Sequence, residues 1–310
     1  MKKILITFCM LLMTAGIMTA QTAEEANASK IIDMTNGTIE MYNKYLSNMK
    51  KVREGLEKSA ENIEVLKENI NRGAHGFNCS YFGISDVEVS VFQKTVKAAP
   101  AFPEKAKIQE AVEFVIANND EFGKRCSALT DYFNKKQYVD DAGFAKYEEL
   151  FSSLNDMYSK MSDTWKTATN LASDAGDRSE VILLKKSPIA EFIIPMKEDL
   201  ARVKKCVDKL YQDDVDVNAL KTDIAAIEKA GQKNRSLEGK KVENLKKYSY
   251  PSFHTSFYDY VEEFVKQSTR IQELLSYDKD TQVRMKDEIN NTYYAVGRAF
   301  EGMIKSYNEM

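Results

Sequence analysis

The chain has 310 residues, with 44 Lys and Arg against 47 Asp and Glu, a formal net charge of −3 and 43% hydrophobic residues. Both signs of charge are mixed along its length, so it carries no nucleic-acid footprint, and the apolar content suffices for a core. Five prolines and thirteen glycines, set against many Lys, Glu, Ala and Leu, point to an all-α chain.

The first twenty residues read as a secretory signal. Met1-Lys2-Lys3 is a cationic start, Ile4 to Met13 an apolar run, and Thr14 to Ala20 a stretch of mostly small residues. The run of about ten apolar residues is half of what spanning a bilayer takes. Cleavage after Ala20 removes Lys2 and Lys3 and no acid, which takes the net charge from −3 to −5. Cys9 lies inside the apolar core, where a lipidated cysteine would close it, so lipid attachment is not expected. No later run reaches transmembrane length. The expectation is a protein without a membrane anchor, soluble in the periplasm or outside the cell.

The first helix of the mature chain is expected from Ala28 to Ile70. Tyr42, Met49, Leu56, Ile63 and Ile70 recur every seven residues, Tyr45, Val52 and Leu66 fill the position three further on, and Ser59 interrupts it. That is the stripe of a coiled-coil-like or long-bundle helix. At 1.5 Å per residue it would be roughly 60 Å long, which suggests an elongated molecule. Gly73 and Gly76, flanking His75, end it. Phe77, Tyr81 and Phe82 form an aromatic cluster expected to plug one end of the bundle. Ser85-Asp86-Val87-Glu88 reads as a capping box opening a short helix to Ala98, which Pro100 and Pro103 stop.

A third helix is expected from Glu104 to Asn134, with Ile108, Val112, Val115, Phe122, Cys126, Leu129 and Phe133 on its stripe and Asn119 in one core slot. A polar turn from Lys135 to Asp141 leads to a fourth. Its stripe runs through Tyr147, Phe151, Leu154, Met157 or Tyr158, Met161, Trp165, Ala168 and Leu171, and Ser173 to Asp177 is expected to break it. A fifth, from Ser179 to Tyr211, contains Pro188 and Pro195 and is expected to kink or begin afresh near Ser187.

Val217 to Ala230 reads as a short helix. Gly231 to Tyr250, rich in Lys233, Arg235, Lys240, Lys241, Lys246 and Lys247, reads as a solvated connection. A closing hairpin joins Ser252–Tyr277, carrying Phe253, Phe257, Tyr260, Phe264, Ile271 and Leu274, to Lys279–Asn308, carrying Ile289, Tyr293, Val296, Phe300, Met303 and Tyr307. The fold expected is an elongated antiparallel bundle of about six or seven mostly long helices. It is read as one domain over 21–310, with any subdivision near 212–250.

Three cysteines follow the signal: Cys79, Cys126 and Cys206. An oxidising compartment permits one bridge and leaves one thiol over. Cys126 falls on an apolar stripe and reads as a buried free thiol, which makes Cys79 with Cys206 the expected pair. His75 and His254 stand in no metal-ligand spacing and read as loop or surface residues. Asp214-Val215-Asp216-Val217-Asn218 imitates the start of a calcium loop but has Ala219 and Ala225 where glycine and a bidentate Glu belong. A helix N-terminus explains it better. There is no nucleophile elbow, phosphate loop or dinucleotide fingerprint. No catalytic, cofactor or metal residues are therefore assigned.

The segment Tyr132-Phe133-Asn134-Lys135-Lys136-Gln137-Tyr138-Val139-Asp140-Asp141 resembles the turn between two long helices in the YiiG-like family of bacterial envelope proteins, a family defined by a domain of unknown function. Tyr42-Asn43 and Tyr81-Phe82-Gly83-Ile84-Ser85-Asp86 are similar to further segments of that family, and the likeness in helix order covers roughly Ile31 to Leu210. The resemblance implies a mostly helical envelope protein and supplies no catalytic residues. Members of the family carry a lipid-modified cysteine where this chain has Ala20-Gln21, so it does not carry over an anchor.

The functional reading is a non-enzymatic exported bundle that binds an envelope protein or serves a structural role. The alternative is a small-molecule binder with an aromatic cleft between helices. Self-association is also open, since so long a stripe buries against its own chain or a second copy.

Overall fold

A computed structural model describes residues 22–74, 77–212, 214–236, 246 and 251–309. The segment expected to be a signal, His75 and the polar stretch 237–250, Lys246 apart, lie outside them. Among the described residues there are nine α-helices and no strand. The chain divides into two compact units, Ala20–Ile182 and Leu183–Met310. This differs from the single domain expected and from a subdivision near 212–250. The reason is local: the helix that opens at Val217 packs back on the helices before and after it and stays within the second unit.

The first unit is built on three long helices, α1 (Ala23–Glu68), α3 (Lys105–Asn134) and α4 (Ala145–Leu184, its last two residues beyond the boundary), with the short α2 (Asp86–Ala98) against α1. Thr22 caps α1 in a reciprocal box with Glu25, so the helix starts five residues earlier than expected. Ser85 and Glu88 make the expected box at the start of α2.

The expected stripes meet in one core. Tyr45, Met49, Val52, Leu56, Ile63 and Leu66 of α1 join Val112 to Phe133 of α3 and Tyr147 to Ala168 of α4. Ser59, which interrupts the α1 stripe, is fully buried; its hydroxyl donates to the Leu56 carbonyl and lies 3.5 Å from the Tyr147 hydroxyl.

The break expected at Ser173–Asp177 is absent, and α4 runs on to Leu184. Ala172, Ala175 and Ser179 are buried there. A side chain at Gly176 would bring its Cβ to 2.9 Å from Thr35 Oγ1. The small residues mark a close approach of α4 to α1 rather than a stop.

The second unit is a four-helix bundle of α5 (Ala190–Leu210), α6 (Val217–Arg235), α7 (Pro251–Leu275) and α9 (Lys286–Asn308), with the single-turn α8 (Lys279–Arg284) before the last. Neighbours pack in the ring α5–α6–α7–α9–α5. Ion pairs and ring contacts fix their directions. Lys209 pairs with Asp223, Arg235 with Asp259 and Glu262, and Arg270 with Glu288, while Tyr211 donates to the Tyr293 carbonyl. Each pair joins the end of one helix to the beginning of the next or its neighbour, so the bundle is antiparallel throughout.

The helix expected from Ser179 begins afresh at Ala190, since Pro188 supplies no amide hydrogen to continue it. Asp216 caps α6, accepting from the amides of Asn218 and Ala219. That settles the calcium-loop imitation as a helix start. No helix among the described residues is long and apolar enough to cross a membrane.

Candidate functional site

Two places gather chemistry-bearing side chains, one in each unit. In the second, Asp199 on α5 is 1% exposed. Its carboxylate accepts from Arg202 Nη1 at 2.6 Å, Asn234 Nδ2 at 2.8 Å and the Tyr258 hydroxyl at 3.2 Å. Three donors from α5, α6 and α7 offset the cost of burying the charge. Burial, with Asp199 beside it, drives the Tyr258 hydroxyl far above the ordinary phenol range.

His254 lies one turn before Tyr258, with ring centroids 4.8 Å apart and the Phe192 ring edge-on at 6.0 Å. It is 2% exposed, which corrects the expectation of a surface residue. The α7 stripe runs through 254, 257, 258, 261 and 264, and the helical spacing from His254 to Phe257 and Val261 was the signal for it. Tyr260, placed on the stripe from sequence, is 40% exposed instead. Burial lowers the His254 pKa to about 4, and Arg235 adds to that, while a hydrogen bond to the Asn234 backbone pulls the other way. Lys197 is also buried, its Nζ 5.7 Å from the Tyr307 ring centroid.

In the first unit, residues 77–84 run along α3 as an extended strap. Phe77 packs on Phe133 and Tyr81 on Phe122, at 4.9 and 4.7 Å between ring centroids. Cys79 N–H donates to Thr130 Oγ1, and Ile84 N–H and the Tyr81 hydroxyl both donate to Asn119 Oδ1. The side chains of α3 thus stand in for the partner strand that an extended backbone ordinarily needs. Asn119 serves this role rather than setting helix register. Of the expected aromatic plug, Phe77 is buried and Phe82 is 62% exposed.

The strap carries the disulfide. Cys79 bonds Cys126, with Cα atoms 5.3 Å apart, and Cys206 is the free, buried thiol. This corrects the expected pair of Cys79 with Cys206. Cys126 does lie on the buried stripe, but the strap lays Cys79 directly over it, while Cys206 sits in the core of the second unit. Burial raises the Cys206 pKa to about 12, so this thiol stays protonated.

Beside the strap, Trp165 is fully buried against Tyr42 and Tyr45, at 5.7 and 5.5 Å, and its indole N–H has no hydrogen-bond partner among the described residues. Where α3 turns into α4, the Tyr132 hydroxyl donates to Asp141 at 2.9 Å, and the amides of Lys146 and Tyr147 donate to the same carboxylate. Burial works to raise the Asp141 pKa, but these donors outweigh it and hold it below the usual carboxylate value. The Tyr-to-Asp segment singled out in the sequence is therefore a cap tied to the preceding helix.

Among the described residues, no group of three or more His, Cys, Asp or Glu is placed to hold a metal ion. No protein-family model matches the chain, and no curated protein matches it. Solved crystal structures similar to it include the following two. One is an alpha helical protein from Bacteroides fragilis, at 15% sequence identity and a TM-score of 0.46, covering 91% of this chain and 99% of that one. Another is an uncharacterised DUF3829-like protein from Bacteroides thetaiotaomicron, at 16% identity and a TM-score of 0.50, covering 92% of this chain and all of the other. At such identities the likeness to the second concerns the fold, which is all-α over nearly the whole chain.

Proposed function

We propose that this chain is an exported, non-enzymatic protein of the bacterial cell envelope, of the YiiG-like kind, that acts by binding a protein partner. The observation that carries export is the Cys79–Cys126 bridge, since disulfides persist in oxidising compartments and the chain opens with a signal-like segment. The way the structure uses two of its carboxylates, one buried and one at a helix start, supports a non-catalytic role. Asp199 and Asp141 each accept three hydrogen bonds from the fold itself, which leaves them as fasteners.

Fractionation of cells followed by N-terminal sequencing tests the export reading. The expected result is a chain in the periplasmic or secreted fraction that begins at Gln21; an intact chain in the cytoplasm contradicts it. Cross-linking in whole cells tests the binding reading, with an envelope protein as the expected partner.

A second reading, small-molecule binding among aromatics, is favoured by the unpaired indole N–H of Trp165 between Tyr42 and Tyr45. An acceptor group brought to that nitrogen would recover roughly 1–3 kcal/mol of unsatisfied burial. A library screen by indole fluorescence checks it, since Trp165 is the single tryptophan. A saturable change in emission supports this reading, and none across the library removes it.

A further inference from the structure

We propose that His254 is the pin of an acid-sensitive latch that holds the last turns of α6 onto α5 and α7. The latch is visible as a set of contacts converging on one end of the second bundle. The His254 ring packs on Tyr258, whose hydroxyl donates to the buried Asp199, and the Asn234 side chain donates to the same carboxylate. The next residue, Arg235, forks to Asp259 and Glu262 on α7. Two adjacent residues in the last turn of α6 are thus clasped to α5 and α7, and the imidazole is enclosed by aromatic rings, Phe192 and Tyr258.

The groups around the pin do not favour a second positive charge. From α6 comes the Arg235 guanidinium, which disfavours the imidazolium. From α7 comes the neutral Tyr258, whose hydroxyl is committed to Asp199, with Asp259 held by Arg235. From α5 comes Asp199, already answered by Arg202, Asn234 and Tyr258, and Glu198, which pairs with Arg202. α9 brings Tyr307 to the same end of the bundle, over which Lys197 adds a further positive charge.

The direction of the pH effect follows. In the closed latch the imidazole pKa lies near 4, below the ordinary value of 6.5. Once released into water it returns to the ordinary value. Between those two values the open form takes up a proton that the closed form refuses, so falling pH favours opening. Opening also uncovers Val261, whose side chain packs on Gly231 so tightly that an added Cβ there would lie 2.8 Å from it. A charge change at one residue would in this way bare an apolar strip of α7.

Hydrogen exchange of the full chain, read by mass spectrometry at pH 7 and pH 4.5 and corrected for the intrinsic rate, tests this. Peptides covering 227–236 are expected to lose protection at least tenfold at pH 4.5, while those from α3 and α4 keep theirs. His254→Phe, which fills the same aromatic cage and cannot titrate, is expected to show the same protection at both pH values. Equal protection of the native chain at both, or the same acid loss in His254→Phe, overturns the proposal. Should the variant fail to fold, the imidazole of the native chain is titrated by NMR, with His75→Gln to assign the two histidines. A value near 4 supports the latch, and one at or above 6.5 overturns it.

Discussion

The two units solve the same problem, an all-helical core, with different fasteners. The first wraps an extended strap over α3 and staples it with Cys79–Cys126; the second has no bridge and converges α5, α6 and α7 on the buried carboxylate of Asp199. A covalent staple acts largely on the unfolded chain, by removing its freedom, and is indifferent to pH. A buried polar cluster acts in the folded state and depends on the protonation of its members. The difference teaches where each unit is vulnerable: the first to reduction, the second to acid and to loss of a single hydrogen-bonding partner.

The largest expected effect breaks the staple. The bridge closes a separation of 47 residues, which in the chain-entropy model contributes about 4 kcal/mol. Replacing both Cys79 and Cys126 by Ser should lower protection of the strap and α3 by that order in hydrogen exchange, and leave α5 to α9 unchanged. Next comes Asp199→Leu, which strands the Asn234 amide and the Tyr258 hydroxyl in the core. It should cost the second unit about 2–3 kcal/mol in urea unfolding and leave the first unit's exchange as it was.

A smaller effect is expected at the start of α2. Ser85→Ala removes the cap oxygen and should cost about 1 kcal/mol. The Ser85 backbone amide is the main reason the Glu88 carboxyl sits below its ordinary value of 4.5. The contribution of the box is therefore present above that value and fades as pH falls through the lowered one, which a pH series of the helix's exchange rates would show. The smallest effect is at the surface. Arg270 pairs with Glu273 and Glu288, each of the three side chains about half exposed. Arg270→Ala should leave the unfolding curve unchanged within its error, since exposed pairs are screened by water and salt.

Much of this was legible in the sequence where periodicity carried it. The stripes of α1, α3 and α9, the box at Ser85 and Glu88, and the fresh start after Pro188 all rest on local rules, spacing and backbone chemistry, that do not depend on the rest of the chain. What failed depended on neighbours in space. Gly176 reads as a stop until Thr35 lies against it; Cys126 reads as an unpaired apolar residue until the strap brings Cys79 over it. His254 reads as a surface residue because a polar residue on an apolar stripe looks like a boundary when its aromatic cage of Phe192 and Tyr258 is not in view. The candidate site was the least legible part, since Asp199, Asn234 and Tyr258 are far apart in sequence and ordinary in composition.

The pairing of Cys79 with Cys126 is the point on which the account of the first unit and of export both turn. Non-reducing peptide mapping of the mature chain, alkylated in denaturant after isolation from its own cells, tests it most directly. The account predicts a single linked peptide pair containing Cys79 and Cys126, with alkylation on Cys206 alone and only after unfolding. Alkylated Cys79, or Cys79 linked to Cys206, would contradict it.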